Sequence, residues 1–112
     1  MLLLAGLGAC SATPSATGPY QPISEIARNT ALAIELTREA ADDLDAGNLE
    51  SAEALLRDAL TADLYHGPAH NNLGVVFLEQ GMLYEAAQEF EWAKKLLPSA
   101  PDPRVNLALV LE

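Results

Sequence analysis

From residue 23 onward, apolar side chains recur at spacings of three, four and seven, the period of helices with one buried face. Ile26, Ala33, Leu36, Ala40 and Leu44 define the first, predicted over residues 24–46 with Ser24 as N-cap behind Pro22. Gly47-Asn48 stops it, as a left-handed C-terminal cap does. A second helix is predicted over 50–63, with Ala52, Leu55, Leu56, Ala59 and Leu60 inward. Gly67-Pro68 breaks the pattern again. A third fits 69–80 and ends at Gly81; a fourth fits 84–97 and ends at Pro98; Pro101 and Pro103 open a fifth. No stretch alternates with period two, so no strand is expected. The fold class is all-α, and connections of a few residues force consecutive helices to pack antiparallel.

The pattern repeats itself. Gly47 and Gly81 lie 34 residues apart, and the same offset relates Ala40 to Gly74, Ala52 to Ala86, Leu56 to Phe90 and Ala59 to Ala93. It also relates Asn72 to Asn106, Leu73 to Leu107 and Gly74 to Ala108. Two helices per 34 residues resembles the tetratricopeptide repeat (TPR). Leu73, Gly74, Phe77, Gly81, Ala86, Phe90, Ala93 and Pro98 stand where that family's pattern wants them. The resemblance implies a short right-handed solenoid of stacked antiparallel helix pairs, with units at about 33–66 and 67–100 and a half unit at 101–112. Small residues let helices approach closely, larger ones fill the gaps, and Pro98 ends a helix. The first unit departs from the pattern at Glu39, Asp43 and Leu64, where Leu36 and Leu44 are expected to supply the packing instead.

The first 22 residues are of another kind. Leu2, Leu3, Leu4 and Leu7 make a short apolar run that closes in Leu7-Gly8-Ala9-Cys10. That ending resembles the lipobox of bacterial lipoproteins, which implies cleavage before Cys10, its lipidation, and a place in the cell envelope facing the periplasm or exterior. A soluble cytoplasmic chain is the alternative. Residues 1–10 are thus read as a signal segment and 11–22 as a Ser/Thr/Pro/Ala tether ahead of a helical domain at 23–112. The run lacks a basic n-region and is too short to span a bilayer, so the expected membrane link is the lipid alone. With one cysteine, no intramolecular disulfide can form.

Charge narrows the partners. Sixteen acidic against six basic side chains give a net charge of −10, which argues against nucleic acid, whose phosphates need Lys and Arg. Residues 35–63 hold nine of the acids against Arg38 and Arg57, a balance that favours a basic partner. No nucleophile elbow or phosphate loop is present, so no catalytic residue and no cofactor is expected. Glu35, Glu39, Asp42, Asp43 and Asp45 scatter over more than one helical face, as a solvated surface does. His66 and His70 are four apart, but with Gly67-Pro68 between them they are expected to be separate surface or interface histidines and not a metal pair. Trp92 is expected on the convex side, packed or half exposed.

The TPR resemblance instead implies a groove lined by first helices, binding a peptide or a partner's helix. Carried over, its positions are Thr37, Arg38, Ala41 and Asp45; then Asn71, Asn72, Val75, Leu78 and Glu79; then Asp102, Val105, Asn106 and Leu109. Asn72 and Asn106 are one repeat apart, and an amide offers both donor and acceptor to a peptide backbone. The same asparagines serve equally to bond neighbouring side chains or face water. Arg38 has Glu35 and Asp42 within helical reach. The last helix is apolar nearly all round, which leads to two expectations: a natural sequence extending past both ends, or burial of residues 104–112 against a second copy or another protein. The function expected is a non-catalytic protein-binding scaffold, with a self-associating structural unit as the alternative.

Overall fold

A computed structural model describes residues 28–111. It is all-α: helices α1 (Thr30–Asp45), α2 (Leu49–Ala62), α3 (Gly67–Glu79), α4 (Leu83–Leu96) and α5 (Pro101–Leu111) follow one another through short turns. Adjacent helices pair, α1 with α2 and α3 with α4, while α5 packs on α4. Alternate helices also touch: α3 meets both α1 and α5. Signal segment, tether and Cys10 lie outside the described residues.

The first helix starts later than its periodicity suggests. Arg28 and Asn29 are not helical: Arg28 forms an antiparallel bridge with Asp63, and the Asn29 N–H donates to the Ala62 carbonyl at 2.7 Å. The Asn29 side chain then accepts from the Leu32 N–H at 3.2 Å. Asparagine is a strong N-cap, so the helix begins at its carboxamide and not at Ser24, which lies outside the described residues. A second correction concerns Gly67-Pro68. These residues do not precede α3 but form its first turn, where proline's missing N–H costs nothing.

Both helix pairs turn in the same way. Gly47 and Gly81 have φ of 81° and 77°. Around them the Asn48 N–H reaches the Asp43 carbonyl and the Met82 N–H reaches the Phe77 carbonyl, each at 2.8 Å. The Gly47 and Gly81 N–H groups bond Leu44 and Leu78, each at 3.0 Å. This is the Schellman arrangement, which satisfies carbonyls that a helix end otherwise leaves open.

The core is built from small and large residues in alternation. Ala33, Ala40, Ala52, Ala59, Ala69, Ala86 and Ala93 are fully buried, as are Leu56, Val76 and Phe90. Each of those larger side chains contributes about 1.5–3 kcal/mol through burial. Gly74 faces the Phe90 ring so closely that a Cβ would overlap it, and one at Gly67 would sit 2.6 Å from Leu97 Cγ. Glycine at these two positions is what lets α3 seat against α4 and its C-cap. Leu36, Leu44, Leu55 and Leu60 pack half-buried around the core. Thr37 is buried too, a position the apolar pattern did not mark, and its hydroxyl has no hydrogen-bond partner.

Candidate functional site

Helices α1, α3 and α5 carry all of the expected groove residues. Between α1 and α3 lies an open depression of about 450 Å³, lined by Ala41, Leu44 and Asp45 from α1 and by Asn72, Val75 and Glu79 from α3. Gly47 and Leu49 complete the lining. Five expected groove residues therefore meet there: Ala41, Asp45, Asn72, Val75 and Glu79. The apolar floor comes from Ala41, Leu44, Leu49 and Val75. The rim is acidic, because Asp45 and Glu79 are the exposed last residues of their helices. Among the described residues no ion pair engages either carboxylate, and no side-chain hydrogen bond ties the Asn72 amide.

The other groove positions are placed differently. Asn106 donates from Nδ2 to Asn71 Oδ1 at 3.1 Å, so the rung across α3 and α5 joins Asn106 to Asn71 and leaves Asn72 apart. Arg38 is engaged by Glu35 through two hydrogen bonds of 3.2 Å, one of its two reachable acids. Asp102 is exposed in the first turn of α5. Val105 and Leu109 are each 56% exposed, and Leu111 is 71% exposed.

Glu89, which the sequence did not single out, joins His70 and Trp92 in a polar cluster between α2, α3 and α4. His70 is not a surface residue: it is 3% exposed and stacks on Trp92, with ring centroids 5.3 Å apart and planes 12° from parallel. Its Nε2 donates to the Leu64 carbonyl at 2.8 Å, and Nδ1 faces Glu89 Oε1 at 2.7 Å. The imidazolium form donates to both acceptors at once. At the 34-residue offset the same tether recurs in other chemistry: Arg104 Nη1 donates to the Pro98 carbonyl at 2.6 Å, again six residues back. Its match to His70–Leu64 at the 34-residue offset was present in the sequence, but unlike residue types concealed it.

His66 precedes α3 as its N-cap residue, and His70 lies in the first turn that follows. Burial lowers the His66 pKa below the usual histidine value; Asp63 opposes this and His70 adds to it. Asp63 itself is 1% exposed and holds the chain entry in place. It accepts from the Thr30 hydroxyl at 2.8 Å and the Tyr65 N–H at 3.1 Å, and Arg28 Nε lies 3.6 Å away. Among the described residues no group of three or more His, Cys, Asp or Glu side chains is arranged to hold a metal ion, and no helix is long and apolar enough to cross a membrane. Compared with known proteins, the chain matches no family model, no curated protein and no solved structure.

Proposed function

We propose that the chain is a non-catalytic scaffold built of TPR-like helix pairs, and that it binds a peptide or partner helix along the α1–α3–α5 layer. The observation that carries this reading is the depression between α1 and α3, where an apolar floor, an untied amide and two carboxylates share one open surface. Such a mixture suits recognition of a polypeptide: apolar contact for affinity, a few polar groups for register. The identical turns at Gly47 and Gly81 and the contact between alternate helices support the repeat architecture, a right-handed stack in this reading. A peptide-array screen tests the groove. Asn72→Ala with Asn106→Ala should lower binding of any peptide that the unaltered chain selects, and undiminished binding would remove the asparagines from the interface.

The site of action belongs to the same proposal: a bacterial envelope, with Cys10 as lipid anchor and residues 11–22 as tether. Palmitate labelling of the expressed precursor should depend on Cys10, and labelling retained in Cys10→Ala would overturn it.

One observation favours a second reading, self-association through residues 104–112. Val105, Leu109 and Leu111 form an exposed apolar set on the last described helix. In that case sedimentation should give a dimer that Val105→Glu or Leu109→Glu dissolves. Val110 is unsuitable for the test, since it packs half-buried against the core.

A further inference from the structure

We propose that the α1–α3 depression takes a lysine or arginine side chain of a partner polypeptide, with the aliphatic stem on Val75 and Leu44 and the charged head between Asp45 and Glu79. The inference rests on the groove reading above and names what the groove selects. Helix C-termini carry a partial negative charge, and Lys, Arg or His commonly sits in the last turn to complement it. α4 follows that habit with Lys94 and Lys95. α1 and α3 do the opposite: neither has a basic residue in its last turn, and each ends in a carboxylate, Asp45 and Glu79, beside the same depression. Arg38, the basic residue of α1, is already held by Glu35. Two helix ends and two carboxylates thus face one open volume without a cation, above an apolar floor that fits a methylene stem. The Asn72 amide lies within the same lining, where it can bond the partner's backbone.

The test uses the full 112-residue chain and three fluorescently labelled octapeptides that alternate alanine with lysine, glutamine or glutamate. The lysine peptide should bind best, and binding should weaken with added salt. The double variant Asp45→Asn/Glu79→Gln should weaken it about tenfold, the effect of losing two charge-assisted contacts. Both side chains are exposed, so the variant keeps its fold, which circular dichroism checks. Asp58→Asn/Glu85→Gln removes equal charge from α2 and α4 and should change binding less than about twofold. An equal loss in both variants would mean diffuse attraction to an acidic chain and would overturn the proposal. Glutamine peptide bound as tightly as lysine peptide, and lost in Asn72→Ala, would remove the cation but keep the groove. Binding of none of the three peptides would sink the cation-selective site, and the groove reading would then stand or fall on the peptide-array screen.

Discussion

At the scale of single residues, the most consequential side chain is an acid that the helical pattern did not mark as buried. Asp63 is buried and accepts from Thr30 and Tyr65 while Arg28 stands beside it, so one carboxylate fastens the start of α1 to the α2–α3 turn. Removing it leaves donors without an acceptor in a partly buried place. Asp63→Ala should therefore destabilise the fold by about 2–3 kcal/mol, and Thr30→Ala by about 1 kcal/mol or less. Urea unfolding followed through Trp92, the single tryptophan, measures both; a loss under about 0.5 kcal/mol for Asp63→Ala would show the contact to be idle. His66 gives a pH dependence of definite sign. Its folded-state pKa is lowered, so the unfolded chain takes up the proton first as pH falls. Its contribution is present above the ordinary histidine value and is lost as pH drops below it. Unfolding free energy should fall more steeply between about pH 7 and pH 5 in the unaltered chain than in His66→Asn. Equal slopes would contradict the burial effect.

At the scale of elements, the glycine stops were the part most legible in advance. A left-handed cap is a local event, decided by which residue tolerates positive φ, and Gly47 and Gly81 both adopt it. Nothing lies within 4 Å of a Cβ built at either site, so a side chain there meets backbone strain and no clash. Gly47→Ala and Gly81→Ala should each cost about 1 kcal/mol, with asparagine costing less at both. Denaturant titration of the four variants checks the ranking; alanine as stable as glycine would mean the turns relax to another form. Helix starts were less legible. Ser24 and Asn29 both qualify as caps by composition, and the choice fell to Asn29 because Arg28 and Asn29 pair their backbones with residues 62–63. A window of sequence holds no information about that partner.

At the scale of the whole helical unit, α3 is central and α5 peripheral. α3 touches all four other helices, whereas α5 packs on α4 and more lightly on α3 and leaves Val105, Leu109 and Leu111 exposed. Local opening free energy follows such coverage. Amide hydrogen exchange should be fastest in α5 and slowest in α3 at low protein concentration. Protection of α5 that rises with concentration would identify a second copy as its cover, and protection equal to that of α3 at every concentration would contradict the ranking. The acidic weight of the molecule is also uneven, since residues 35–63 carry nine of the sixteen acids. The groove between α1 and α3 borders that acidic part.

Sequence alone determined the helices, their glycine stops and the alternation of small and large core residues, because periodicity and capping act within a turn or two of the chain. It also marked five of the residues that line the α1–α3 depression. Tertiary structure decided which polar groups meet. Asn106 found Asn71 and not Asn72, His70 became a buried bridge between Leu64 and Glu89, and Asp63 closed on Thr30. Those pairings depend on the rotation and translation of one helix against another. A shift of one residue around a helix turns a side chain by about 100°, and only the packed core fixes that angle.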